Sequence, residues 1–206
     1  MIFQGIIFDL DGVICSTDEY HYQAWKELAD REGIPFDRSV NNRLRGVSRM
    51  ESLEILLERA KRFYSQEEKE KMAAAKNTRY QELLREMTPA DLSPEVFETL
   101  ETLRKQGLKL AIGSSSKNTP LILDRLGLGG YFDAVSDGNN ITRSKPAPEV
   151  FLKAAEYLGL SPETCLVVED AVSGVEAAHR AGMKAAALGD AAKTGVGEWK
   201  LPSFSA

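Results

Sequence analysis

Two aspartates, Asp9 and Asp11, stand one residue apart directly after the apolar run Ile6-Ile7-Phe8. On extended backbone, residues i and i+2 project to the same side, so both carboxylates could reach one substrate. One can attack phosphorus as a nucleophile while its neighbour handles the proton of the leaving or entering hydroxyl. Farther along, Ser114-Ser115-Ser116 follows a second apolar stretch, Lys145 lies in "SKPAP", and Glu169-Asp170 closes "TCLVVED". Carboxylates gathered at one edge repel one another, which raises some of their pKa values or requires a cation. Oxygen-rich donor sets suit magnesium, which keeps several waters and takes one or two carboxylates plus a substrate phosphate. Lys145 adds positive charge for that phosphate, and small residues leading into a helix near Asn118 offer it hydroxyls and backbone N–H groups. The combination points to phosphoryl transfer. Other chemistries find little support: the histidines are His21 and His179, "GSSSK" lacks the spacing of a nucleotide P-loop, and no Cys/His cluster could bind zinc.

These residues need a scaffold that brings them together, and the pattern of elements supplies one. Residues 2–8 are β-branched and aromatic enough for a buried strand that stops at the acidic pair. Three capping boxes then predict helices: Ser16 with Glu19, Ser48 with Glu51, and Ser65 with Glu68. After the first, His21, Ala24, Trp25 and Leu28 share one helical face, and residues 17–88 read as all-helical. From Ser93-Pro94 onward strands and helices alternate: a helix to Gly107, the strand "LKLAIGSSS", the helix "NTPLILDRLG", the strand "FDAVSD", the helix "PAPEVFLKAAEYLG", the strand "TCLVVED", the helix "AVSGVEAAHRAG" and "MKAAALG" as a final strand. Such alternation implies βαβ units, hence a doubly wound α/β fold with a parallel sheet covered on both faces. Residues 1–15 and 93–206 would form this core, and 16–92 an all-helical cap inserted after the first strand. Ligands of open parallel sheets bind at the carboxyl ends of strands, where Asp9 and Asp11, Ser114 to Ser116 and Glu169-Asp170 fall, with Lys145 following the third strand.

Bulk properties narrow the partners. The chain has 206 residues, a net charge of -5 from 26 basic and 31 acidic residues, and two cysteines, Cys15 and Cys165. Nothing in that balance favours nucleic acid or an anionic membrane, and two cysteines make no disulfide framework. The N-terminus lacks a basic n-region and no apolar run reaches the length of about 18 residues that a membrane span needs. The expectation is a cytoplasmic, reduced, monomeric protein acting on a small anionic molecule.

Each motif also has a plainer reading. Asp-Gly pairs commonly make turns, Glu-Asp before a helix commonly caps it, and Lys145 between serine and proline could be a solvated loop charge. His21 and Trp25 read as packing residues on periodicity alone, and Arg45, Arg49 and Lys76 as helix surface. Co-occurrence at strand ends, in one order, favours the chemical reading.

Taken together, "FDLDGV", "GSSS", "SKPAP" and "VVED" resemble the haloacid dehalogenase superfamily of phosphotransferases. The stretches "TDEYHYQAWKELA", "LRGVSRMESL", "KNTRYQELL" and "SSSKN" resemble the sugar-phosphate mutases within it. That resemblance implies Asp9 as the nucleophile that becomes phosphorylated and Asp11 as the general acid/base, with Ser114 and Lys145 binding the transferring group. It implies magnesium on the Asp9 carboxylate, the Asp11 carbonyl and Asp170, with Glu169 in support. In the cap it assigns Arg49 to the substrate's other phosphate, beside Gly46, Val47, Ser48 and Ser52, with Ser115, Ser116, Lys117 and Asn118 on the core side. Thr17 and His21 would serve the reacting groups, Lys76 would lie near the substrate, and Trp25 would line the pocket. The implied reaction interconverts β-D-glucose 1-phosphate and glucose 6-phosphate through a bisphosphate; hydrolysis of sugar phosphates on the same core is the second possibility, and a catalytically silent metal- or phosphate-responsive binding module a third. The chain departs from the family at Ser16, where an aspartate is usual, and at Arg45, where a lysine is. The family also continues past "LPSFSA" into another strand and helix, so either the protein is naturally short or this is a shortened form, and an unfinished sheet edge would cost stability.

Overall fold

The computed structural model describes residues 3–44 and 47–204. Six strands, all parallel, form one sheet: β1 (Gly5–Phe8), β2 (Lys109–Gly113), β3 (Ala134–Ser136), β4 (Cys165–Glu169), β5 (Lys184–Ala187) and β6 (Trp199–Lys200), in the order β3-β2-β1-β4-β5-β6. This is the doubly wound arrangement expected from the alternating pattern. Ile6-Ile7-Phe8 is apolar throughout because β1 is central: Ile6 pairs with Leu110 on one side and Leu166 on the other, and helices cover the faces. Ile7, Ala111, Val167 and Ala185 face a core that takes Val150 and Phe151 from α7 (Glu149–Leu158) and Val175 and Ala178 from α8 (Val172–Arg180). Phe8 points to the opposite face, as a period of two requires, where its ring stacks on Phe204 at 5.6 Å. The remaining helices around the sheet are α5 (Pro94–Lys105), α6 (Thr119–Arg125) and α9 (Gly189–Thr194).

β5 is not the last strand. After α9 the chain adds β6, pairing Ala186 with Trp199 and Ala187 with Lys200. Two residues are too few to show alternation, so sequence periodicity passes over them. Their placement comes from non-local bonds: Glu198 N–H donates to Ala185 O at 2.9 Å, and Ala185 N–H donates to the Glu198 carboxylate at 2.8 Å.

A separate helical unit spans Thr17–Glu86, while the residues up to Ser16 and from Met87 onward belong to the sheet unit. Met87 is wholly buried in the latter and its carbonyl accepts a bond from Arg125 Nε at 2.8 Å, so the chain joins the sheet unit before the 92/93 boundary read from the sequence. The helical unit contains α1 (Asp18–Glu32), α2 (Arg38–Asn42), α3 (Arg49–Leu57) and α4 (Gln66–Leu84), packed through Trp25, Leu28, Val40, Leu53, Leu56 and Met72. Reciprocal capping boxes form at Ser48/Glu51 and Ser65/Glu68, as expected. The box at Ser16 does not: α1 starts one residue later, with Thr17 at the N-cap and no side-chain cap. Thr17 Oγ1 instead accepts a bond from the Tyr80 hydroxyl at 2.9 Å, in a wholly buried position. Among the described residues, no helix is long and apolar enough to cross a membrane.

Candidate active site

Strand order reverses between β1 and β4, since the chain places β2 and β3 to one side and β5 and β6 to the other. The crevice beyond the carboxyl ends of such a pair is where doubly wound sheets bind ligands. Asp9 follows β1 there and Glu169 ends β4. Asp9 N–H still bonds to Val168 O at 2.9 Å, which extends the ladder by one residue. Beyond it the backbone departs from the extended course assumed for Asp9 and Asp11: Leu10 sits at a bend with its side chain fully buried, and Asp11 forms an isolated bridge with Cys15.

Lys145 links the two strand ends. Its ammonium donates to Asp9 Oδ1 at 2.5 Å and to Glu169 Oε1 at 2.6 Å, and its side chain is only 7% exposed. It is therefore no solvated loop charge. Burial by itself would depress the lysine, but Asp9 and Glu169 outweigh burial and hold it above its ordinary value, so the ammonium stays charged. Glu169 responds the other way: burial pushes its carboxyl up against the pull of Lys145, with Asp9 adding to the rise. Its second oxygen accepts the Ala171 N–H at 2.7 Å, so in this arrangement both oxygens are engaged and Glu169 positions Lys145. The peptide joining Lys145 to Pro146 is cis.

Asp170 lies against the turn that carries Asp11. Gly12 has φ +90°, and a Cβ there would fall 2.2 Å from Asp170 Oδ2, so only glycine lets this loop and that carboxylate approach so closely. Among the described residues no three Asp, Glu, His or Cys side chains converge as a ready-made metal cluster. Asp9 and Asp170 each stand just beyond a strand's carboxyl end and supply oxygen donors of the kind that a hard, water-retaining cation uses, so the residues present fit magnesium.

After β2 the serine loop is tied down by its own hydroxyls. Ser114 is buried and its Oγ accepts from Ser116 N–H at 3.2 Å; Ser116 Oγ accepts from Asn118 N–H at 3.1 Å; Ser115 Oγ accepts from Lys145 N–H at 3.4 Å. The last of these joins the serine loop to the lysine loop. Lys117 and Asn118 complete the turn into α6.

A second polar cluster belongs to the helical unit. His21 stacks on Tyr80 with ring centroids 4.0 Å apart, and its Nδ1 lies 2.8 Å from Lys76 Nζ. Lys76, which periodicity suggested was surface, is buried, with its ammonium 4.8 Å from the Trp25 ring centre and 4.5 Å from that of Tyr80. Burial holds His21 well below the usual histidine range, with Lys76 and Arg49 adding to the effect, so the ring is neutral and Nδ1 is the acceptor for the lysine. Arg49 opens α3 behind the Ser48 cap, and burial lowers its guanidinium. Ser52 is buried one turn on, and Val47 is exposed. Gly46 and Arg45 lie outside the described residues. Tyr80 escaped the sequence reading, although its place one helical turn after Lys76 was a signal that the two share a face.

The haloacid dehalogenase-like hydrolase model matches residues 3–182, which include the helical unit, the sheet unit as far as α8 and all four motifs. The chain belongs to this family. Within the haloacid dehalogenase-like hydrolases it is 44% identical over 188 residues to β-phosphoglucomutase of Bacillus subtilis, covering 90% of this chain and 83% of that one. It is 35% identical over 184 residues to the phosphorylated carbohydrates phosphatase of Thermotoga maritima, covering 88% and 82%. The crystal structure of β-phosphoglucomutase from Clostridium difficile superposes with a TM-score of 0.91 at 38% identity, covering 100% of this chain and 92% of that one.

Proposed function

We propose that this haloacid dehalogenase-like protein is a β-phosphoglucomutase, interconverting β-D-glucose 1-phosphate and D-glucose 6-phosphate through glucose 1,6-bisphosphate. The observation that carries the reading is the identity of 44% to a β-phosphoglucomutase across both units, joined to a Lys145–Asp9 contact of 2.5 Å at the strand switch point. The cofactor would be magnesium, which the Asp9 and Asp170 carboxylates and the Asp11 carbonyl would hold with Glu169 in support. When bound, it would supply positive charge that draws electron density from the phosphoryl oxygens.

The residues divide the work. Asp9 attacks one phosphorus of glucose 1,6-bisphosphate, the phosphorus–oxygen bond to the sugar breaks, and the departing sugar oxygen takes a proton from Asp11, leaving a glucose monophosphate. In the return step a different sugar hydroxyl attacks the phosphorylated Asp9 while Asp11 takes that hydroxyl's proton back. Lys145 has three N–H groups, two of them on Asp9 and Glu169, which leaves one for a phosphoryl oxygen. Ser114 adds a hydroxyl to the same oxygens. By the same resemblance Arg49, Gly46, Val47, Ser48 and Ser52 of the helical unit are assigned to phosphate, Ser115, Ser116, Lys117 and Asn118 of the sheet unit to substrate, Trp25 and Lys76 to the sugar, and Thr17 and His21 to the reacting groups. A mutase must deliver its phosphoryl group to sugar and not to water, so binding energy from the second phosphate is best used to exclude solvent.

Sugar-phosphate hydrolysis is the second reading, favoured by the identity of 35% to the Thermotoga phosphatase. Incubation with β-glucose 1-phosphate, magnesium and a trace of glucose 1,6-bisphosphate separates the two. Glucose 6-phosphate is the expected product; free phosphate alone would replace the mutase with the phosphatase. Asp9→Asn should abolish either activity, and a variant that kept it would remove Asp9 as nucleophile.

A further inference from the structure

The serine loop is held from behind by the turn that follows β3, and no motif discussed above includes that turn. Ser114 N–H donates to Ser136 O at 3.0 Å, Gly138 N–H donates to Ser116 O at 3.1 Å, and Asn139 Nδ2 donates to Lys117 O at 3.0 Å. Gly138 is buried against the loop so closely that a Cβ would lie 2.5 Å from Ser115 O and 2.8 Å from Lys117 N, both backbone atoms that cannot swing aside as a side chain can. The turn is itself braced: Asn139 N–H donates to Asp137 Oδ1 at 2.8 Å, and Asn140 Oδ1 accepts from Ser136 Oγ at 3.1 Å and from Asp137 N–H at 3.2 Å. Asp137 and Ser136 are buried, so this brace is part of the folded core and not a loop decoration.

We propose that Gly138 and Asn139 form a clamp that sets the phosphate-binding conformation of residues 114–118, with Asn139 as a positioning residue for the anionic ligand. The physical argument is that peptide groups are planar. Anchoring the carbonyls of Ser116 and Lys117 therefore also fixes the planes that carry the N–H groups of Lys117 and Asn118, the second of which donates to Ser116 Oγ and so holds that hydroxyl in place as well. With those anchors in place the loop meets an anion in one arrangement and loses no ordering entropy on binding; without them it must be ordered by the ligand. Ser115 extends the effect to the other side of the site, because its hydroxyl accepts the Lys145 N–H. The clamp touches neither the reacting atoms nor the sugar, so it acts through the loop.

The inference rests on the phosphotransferase reading of the loop, and the test is chosen to judge the two separately. Inorganic phosphate is the probe, titrated into the full chain by calorimetry, with melting temperature measured alongside. Asn139→Asp keeps the size of the side chain but puts an acceptor where a donor stood; Asn139 is exposed, so the fold should be kept. Loss of one such bond should weaken phosphate binding about five- to tenfold with little change in melting temperature. Gly138→Ala should weaken it more, because the loop backbone must move. In steady-state turnover of the sugar phosphate the same variants should raise KM by a similar factor and leave kcat within about twofold. Unchanged phosphate affinity in Asn139→Asp with an intact fold overturns the clamp, whatever the activity. A wild-type chain that binds phosphate but transfers none sinks the mutase reading and leaves the clamp to be judged on affinity alone.

Discussion

Lys145→Met removes the cation between two buried carboxylates, and its cost can be worked from the geometry. The lysine side chain is 7% exposed, Glu169 is 1% and Asp9 11%, and the contacts are 2.5 and 2.6 Å, so little water stands ready to replace the ammonium. Breaking such a buried pair by deleting one member costs about 3–5 kcal/mol, because the remaining charge is left without compensation. For a chain of this size that corresponds to a fall in melting temperature of about 6–20 °C. Differential scanning calorimetry with a chelator present, so that no cation substitutes for the ammonium, reads it directly. A second substitution isolates the cause. Glu169→Gln in the Lys145→Met background keeps an acceptor for Ala171 N–H while removing one of the two facing charges, and should restore about 0.5–3 kcal/mol, the usual size of coupling between groups in contact. A single variant that loses under about 1 kcal/mol, or a double variant less stable than the single, would refute the account of Lys145 as the charge that makes the strand ends compatible.

Other consequences are equally direct. Gly12→Ala combines a φ of +90° with a Cβ placed 2.2 Å from Asp170 Oδ2; Asp170 must shift, and magnesium affinity measured by titration should fall by about tenfold or more while the sheet stays folded. His21 is held well below the histidine norm, so its ring signals in NMR should not move between about pH 6 and 8. A histidine whose pKa is depressed on folding favours the folded state above its unfolded value and loses that contribution as pH falls, so the helical unit should weaken below about pH 6.5. Lys76→Met should move the His21 titration upward, since the neighbouring ammonium is part of what depresses it. Ser65→Ala breaks the reciprocal box that starts α4 and should cost about 1 kcal/mol in the unfolding of the helical unit, with turnover unchanged.

Much of the site was legible because its signals are local. An apolar run ending in acid, serines after a second run and Glu-Asp after a third each mark a strand's carboxyl end, and parallel packing brings such ends to one edge. Capping boxes at Ser48 and Ser65 are local in the same sense, since donor and acceptor lie three residues apart. The box at Ser16 failed for a non-local reason: Thr17 is committed to Tyr80, sixty-three residues away, and α1 begins around that contact. Lys76 was misjudged as surface because a helix of charged residues hides which of them turns inward, and the packing of Trp25, Tyr80 and His21 around it is what reveals that.

Sequence alone therefore determined the fold class, the order of the motifs and the kind of chemistry, because strand ends, caps and residue types are written in neighbouring positions. Tertiary structure decided how those groups are shared. It gave both of Glu169's oxygens to Lys145 and Ala171, bent the chain at Leu10 between the two aspartates, neutralised His21, and set Gly138 and Asn139 behind the serine loop. Each of those outcomes depends on burial or on a partner distant in the chain, and neither quantity is encoded at the residue where its effect is felt.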